Sequence, residues 1–479
     1  MRFLPRLYDS PDFDDQGGSK KKKNNRSRLL STPPRVILFS FASAILVGTL
    51  LLSLPISSTG RPLSMEDALF TATSAVCVTG LIVVDTEHDL SPFGQLVVLI
   101  LIQLGGLGIM TFSTFFVLML KRGFISQDNV SILRDTLTPG TPDIRKLLFA
   151  VFKVTVMFEL WGTLILYLFW KGSIPGERVW WDCLFHSVSA FCNAGFSTFS
   201  ENLYRYRQLQ DGCLLIMLLI IIGGLGFSVL DSLLYRKDYL KMGHRAFPLQ
   251  TKVVLATSGV LILSGTLFFW ALDGGHSLIH DGFFTGGFHA LFQSVTARTA
   301  GFNTVNFAKV SHLGLVLIMG LMFIGGSPGS TAGGIKTTTA AILFATIRSH
   351  LRSRSKPDVE MFKRRIPPDN VSRAFIILVL SILAVIIVSV LLFVTERSRV
   401  QMWPPGQEPV LRILFETISA FGTVGLSTGI TPHLSVVGKV LITITMFIGR
   451  LGPLTIFLAL VDTRKAPLYR YPEEKIMVG

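Results

Sequence analysis

The chain has 479 residues, 49% of them apolar and 16% charged, with a mean hydropathy of +0.54, against roughly 25% charged residues in soluble domains. That composition excludes an ordinary soluble globular protein and predicts a polytopic membrane protein. The net charge of +15 would suit a nucleic-acid partner, but the charges are distributed as membrane topology requires, and no nucleic acid is expected.

Residues 1–35 are polar and basic, with Lys20 to Lys23 in a run, and read as a solvated topogenic tail in the cytoplasm; contact of Lys20 to Lys23 with anionic lipid is the lesser alternative. The apolar run 36–55 is longer than the roughly 7–15 residues of a signal peptide and lacks a small-x-small site, so it is a retained span. Further runs follow at 94–120, 147–170, 211–234, 252–272, 312–346, 373–395 and 435–461, each exceeding the roughly 20 residues that cross hydrocarbon as a helix. Eight spans return both termini to one side. Of the 45 Lys and Arg, 31 lie in the termini and in the loops after even-numbered spans, and 10 in the opposite loops. The positive-inside rule therefore puts both termini in the cytoplasm. The basic stretches 236–252 and 348–365 and the tail 462–479 face that side, and the two basic stretches are expected to dock a soluble subunit.

The segment between each odd and even span repeats. TSAVCVTGLIV (73–83), VSAFCNAGFST (188–198), SVTARTAGFNT (294–304) and ISAFGTVGLST (418–428) align on Gly80, Gly195, Gly301 and Gly425. The glycines are 115, 106 and 124 residues apart, so a unit of that size occurs four times: 36–120, 147–235, 252–346 and 373–461. The fold class predicted is all-α, with four helix, pore half-helix, filter, helix repeats around one pore in pseudo-fourfold symmetry. The half-helices are expected over Glu66 to Cys77, Asp182 to Cys192, Asp281 or Gly282 to Arg298, and Arg412 to Phe421. Each is too short to span, and its C-terminal dipole end would face a cation.

Glycine allows a filter backbone to turn successive carbonyls toward an axis. The residues before it, Val78 and Thr79, Asn193 and Ala194, Thr299 and Ala300, Thr423 and Val424, bear no acid. Neutral carbonyls would thus be the ligands, which suits potassium.

A second register lies in the even-numbered spans at LGGLG (104–108), IGGLG (222–226), IGGSPG (324–329) and IGRLG (448–452). Small residues there allow close helix approach. The third copy continues with Gly325, Gly326, Pro328, Gly329, Gly333, Gly334 and Lys336. Five glycines at about 1 kcal/mol and a proline at about 3 would cost a helix on the order of 8 kcal/mol, so this segment should be a loop lining a wet cavity or buried in protein. A phosphate loop is the rival, but Ile335 separates Gly334 from Lys336 and no strand precedes it. In the fourth copy Arg450 replaces a glycine, and a cation so deep is by default functional. Facing the axis below the filter, it would obstruct a cation together with the loop. Arg298 is expected to turn away and cap helix carbonyls, and Glu159 to pair with Lys153 or a polar group.

The four cysteines and nine histidines form no metal, disulfide or catalytic pattern, so no enzyme activity is expected.

The four filter segments, the broken GGSPGSTAGGIKTTT and the FIGRLGP of the last span resemble the Trk/Ktr/HKT superfamily of potassium transporters over about residues 36–461. The absence of two extra N-terminal helices makes the chain more similar to the KtrB type. The resemblance implies potassium uptake and an intramembrane gate at Gly325, Gly326, Gly329, Gly333, Gly334 and Lys336 facing Arg450. It also implies a homodimer with one pore per subunit, a separate KtrA-like nucleotide-binding subunit in the cytoplasm, and sodium as an activator beside transported potassium. A sodium- or proton-coupled symporter is the alternative; it would need intramembrane acids in paired halves, whereas the repeat here is fourfold.

Overall fold

The computed structural model describes residues 33–120, 144–234, 247–279, 281–352 and 358–460. The basic tail with Lys20 to Lys23, the stretch 236–246, Arg354 and the terminal stretch 462–479 lie outside the described residues.

Four runs form unbroken helices: Pro33–Leu52, Ile144–Trp170, Leu249–Asp273 and Pro368–Glu396. Among the described residues these are long and apolar enough to cross a membrane. Leu164, Leu263, Leu267 and Val394 stand out from them, 54% to 68% exposed, an apolar outer surface that suits lipid.

The other four runs break, where a break was expected only in the third. The continuous spans 94–120, 211–234 and 435–461 are therefore corrected. Pro92–Leu120 kinks at Gly108, with φ 38° and ψ −138°. Gln210–Leu225 and Phe227–Leu234 meet at Gly226 with a bend of 103°. Val436–Leu451 and Pro453–Leu460 meet at Gly452. Gly226 and Gly452 have φ of 90° and 84°, values that L side chains avoid. The third run divides more widely, into His312–Phe323 and Thr337–Arg352, leaving 324–336 non-helical as its glycines and proline require.

Between each unbroken helix and the broken one after it lies a short helix: Met65–Val76, Val179–Phe191, Phe283–Thr296 and Pro409–Gly422. The starts differ by one to three residues from those expected. Ser64 caps the first by accepting from the Asp67 N–H at 3.2 Å, with Glu66 and Asp67 in its opening turn, where acids favour the helix dipole. The C-terminal halves are buried, with Ala75, Ala190 and Ala420 at 0% exposure. One unexpected element is a two-residue hairpin, Glu360–Met361 against Arg364–Arg365.

Polar side chains tie each quarter of the molecule to the next. Glu87 Oε2 accepts from the Ser200 N–H (2.7 Å) and Oγ (2.9 Å). Arg207 pairs with Asp281. Gln407 Nε2 donates to the carbonyls of Phe307 (3.1 Å), Ala308 (3.0 Å) and Val310 (2.8 Å), and Lys439 Nζ donates to Asp67 Oδ1 at 2.6 Å.

Candidate functional site

The four short helices end on the four repeated glycines. At each end two residues take left-handed dihedrals: Val78, Asn193, Thr299 and Thr423, and two places on Gly80, Gly195, Gly301 and Gly425. The glycines stand against one another in a closed ring. A Cβ at Gly80 would fall on the Ala194 carbonyl, at Gly195 on that of Ala300, at Gly301 on that of Val424, and at Gly425 on that of Thr79. A side chain at any of the four would collide with backbone, besides bearing the steric cost of positive φ.

The N–H groups of Thr79, Gly80, Ala194, Ala300, Val424 and Gly425 turn back to the short helices. Thr79, Ala194 and Val424 donate to the carbonyls of Ser74 (2.8 Å), Ser189 (2.7 Å) and Ser419 (2.8 Å). Gly80 and Gly425 N–H donate to the hydroxyls of Ser74 and Ser419, both at 3.1 Å. In the second segment Ser189 Oγ donates to the Phe196 carbonyl at 2.7 Å instead, and in the third, which has no serine there, Thr296 Oγ1 donates to that of Phe302 at 2.6 Å. These bonds account for the Ser-Ala pair before the glycine. The serine ties the turn to its own helix, and the alanine is small enough to be enclosed completely.

The second glycine register also acquires a sharper role than close approach of spans. A Cβ at Gly105, Gly223 or Gly449 would fall on the carbonyl of Val76, Phe191 or Phe421, each four residues before a ring glycine. These glycines seat the ends of the short helices. In the third quarter the equivalent Gly325 meets the Gly333 carbonyl, because segment 324–336 folds back on itself. There Gly325 N–H donates to the Ile335 carbonyl (2.8 Å) and Thr337 N–H to that of Gly326 (3.0 Å).

That segment reaches its neighbours as well. Ser327 N–H donates to the Gly224 carbonyl (3.1 Å), and the Gly329 carbonyl accepts from Phe227 N–H (3.1 Å). Lys336 Nζ donates to the Ala332 carbonyl at 2.7 Å. Arg450, 4% exposed, donates through Nη1 to the Thr331 carbonyl and through Nη2 to that of Gly105. One arginine thus joins the loop of the third quarter to the break of the first. Two charge-assisted bonds at about 1.5–3 kcal/mol each are of the order of the ~3 kcal/mol that burying Arg at mid-membrane costs.

Arg298 turns from the ring, but to a hydroxyl: its Nη2 donates to Ser258 Oγ at 3.1 Å, where helix carbonyls were expected. Glu159 does not reach Lys153. Its carboxylate accepts from Gln103 Nε2 and lies 3.7 Å from Cys192 Sγ. No His, Cys, Asp or Glu cluster suited to a metal occurs among the described residues.

A family model described as a cation transport protein, TrkH, matches residues 20–466. The chain belongs to this family. It is 37% identical over 452 residues to the Ktr system potassium uptake protein B of Bacillus subtilis, covering 94% of this chain and 97% of that one. It is also 37% identical to the potassium/sodium uptake protein NtpJ of Enterococcus hirae, with the same coverage of each chain. The crystal structure of the potassium transporter TrkH from Vibrio parahaemolyticus superposes with a TM-score of 0.70 at 20% identity, over 93% of this chain and 86% of that one; this likeness bears on the fold. Membership of a cation transport family, with at least four helices among the described residues apolar enough to span, makes this chain a membrane protein.

Sequence reasoning missed three of the four breaks and the buried polar residues of the short helices, His186, Gln293 and Glu416. The final glycine of LGGLG, IGGLG and IGRLG was the available signal for the breaks.

Proposed function

We propose that this chain conducts potassium into the cell through the glycine ring, which serves as a carbonyl-lined selectivity filter. The ring closure of Gly80, Gly195, Gly301 and Gly425 carries the reading. With most of the N–H groups turned back to the short helices, the carbonyls are left to replace an ion's hydration shell. The four quarters are then pore repeats related by pseudo-fourfold symmetry. Segment 325–336 and Arg450 form the gate below the filter, the termini lie in the cytoplasm, and the unit is a homodimer regulated by a KtrA-like nucleotide-binding subunit. The names of relatives support the substrate: potassium uptake for the Bacillus protein, a member of a multi-component Ktr system by name, and potassium/sodium uptake for NtpJ. Stimulation by sodium belongs to the same reading.

The test is potassium uptake by cells lacking their own transporters, with and without sodium. Uptake should be restored by the chain together with its regulatory subunit, and Gly80→Ser should lower the preference for potassium over sodium. No uptake by the parent, or an unaltered preference in the variant, would sink the filter assignment.

A further inference from the structure

The short helices hold the backbone beyond each glycine with unequal strength. In the second, His186 Nε2 lies 2.9 Å from Ser197 Oγ, and Thr198 Oγ1 donates to Asp182 Oδ1 at 2.7 Å. In the third, Gln293 Nε2 donates to Thr304 Oγ1 at 3.0 Å. In the fourth, Glu416 gathers three donors: its Oε1 accepts from Ser427 Oγ and from the Thr428 N–H (3.1 Å), and its Oε2 from Thr431 Oγ1 (3.0 Å). Arg412 holds the same strand from its other polar side, donating through Nη2 to the Thr428 carbonyl (3.2 Å) and through Nη1 to that of Pro404 (2.7 Å). Its guanidinium also lies 5.6 Å from the Trp403 ring centre. The first segment has no such brace. Thr71 stands nine residues before Gly80, as His186 and Glu416 stand nine before Gly195 and Gly425, yet its buried hydroxyl has no partner, and Leu81 to Val84 offer only apolar side chains.

We infer that Glu416 is a positioning residue for cation selection, clamping residues 427–431 so that the fourth segment keeps its carbonyls at a fixed spacing. The inference rests on reading the ring as a filter. Carbonyl ligands discriminate between ions of slightly different radius only while the backbone resists closing around the smaller one, and positions must hold within about 0.5 Å. A fully enclosed carboxylate with three donors, one of them the strand's own N–H, supplies that resistance. Its removal would leave the Thr428 N–H without an acceptor and the Ser427 and Thr431 hydroxyls with only each other, 3.0 Å apart.

The experiment compares the parent, Glu416→Ala, Glu416→Gln and the double variant Ser427→Ala/Thr431→Val, full-length and with the regulatory subunit. It reads the ratio of potassium to sodium uptake per folded protein, with thermal stability measured alongside. The ratio should fall about tenfold in Glu416→Ala and less in Glu416→Gln, whose amide oxygen still accepts. It should also fall in the double variant, which leaves the carboxylate in place and decides the matter if Glu416→Ala does not fold. A merely structural glutamate would lower folded protein and leave the ratio unchanged, and that result overturns the inference. A parent without potassium preference overturns the filter reading and this inference together; a selective parent with unshifted variants overturns only the brace.

Discussion

At the glycine ring the backbone of all four quarters takes the same form, whereas one level below each quarter differs. The ring is closed by four equivalent backbone contacts, with positive φ at the same eight positions. Beneath it the breaks are a kink at Gly108, a 103° turn at Gly226, thirteen non-helical residues at 324–336, and Gly452 preceded by Arg450. If the ring is the proposed filter, a shared ligand cage demands equal contributions from its walls, so variation there is costly. If the lower level is the proposed gate, a barrier needs only one wall to carry it, which leaves the others free to diverge.

The largest expected effect comes from placing the same small change at both levels. At Gly195, a Cβ meets the Ala300 carbonyl and the Gly301 Cα, both 2.8 Å away, at a φ of +71°. At Gly224, a Cβ meets only the Asn193 side-chain amide at 3.4 Å, within a helix. Gly195→Ala should reduce potassium uptake at least about a hundredfold, because strain and overlap together exceed roughly 3 kcal/mol. Gly224→Ala should fold and transport like the parent, gaining up to ~1 kcal/mol of helix propensity. Equal uptake by the two variants would break the contrast between the levels.

The next effect isolates the lower level. Removing residues 328–333, or changing Arg450 to Ala, should raise basal potassium flux per folded protein about tenfold and weaken its dependence on the regulatory subunit. Arg450→Ala deletes the two bonds that join the loop to the first quarter, worth about 3–6 kcal/mol together. If both elements serve only to hold the bundle, folded protein falls in the membrane and normalised flux does not rise; uptake measured against correctly folded protein separates these outcomes.

The upper level was the more legible in sequence because its constraints are local. A glycine at positive φ and a serine six residues earlier are read from one strand, so four aligned segments suffice to locate the ring. The third segment shows the limit: it lacks the serine, and Thr296 carries an equivalent tie one place later. The lower level depends on pairs far apart in the chain. Arg450 reaches Thr331 and Gly105, and Gly226 must be glycine partly because the Pro328 carbonyl of another quarter would lie 2.7 Å from its Cβ. Nothing near Gly226 in sequence states that. Glu159 illustrates the same rule, since its partners Gln103 and Cys192 come from two other helices.

The smallest effect concerns the links between quarters, and it tests whether the first joint differs from the rest. There His88 Nδ1 lies 3.2 Å from Asp85 Oδ2 and 2.9 Å from Ser200 Oγ, beside the Glu87 that bonds Ser200. The hydrogen bond that His88 donates to the Asp85 carboxylate, together with that group's charge, raises the His88 pKa above the ordinary value. A raised value in the folded state means that the imidazolium form stabilises the joint. That contribution is complete below about pH 6.5, the unfolded value, and is lost as pH rises through the higher folded one. The other three joints are made by arginine, lysine or an amide and contain no histidine. Because His88 is solvent-exposed, the effect is small. The melting temperature of the parent should exceed that of His88→Gln by no more than about 2 °C near pH 6, and the two should converge above neutrality. A difference that persists or widens with rising pH would show that the imidazolium does not stabilise this joint, leaving the first link no more pH-sensitive than the other three.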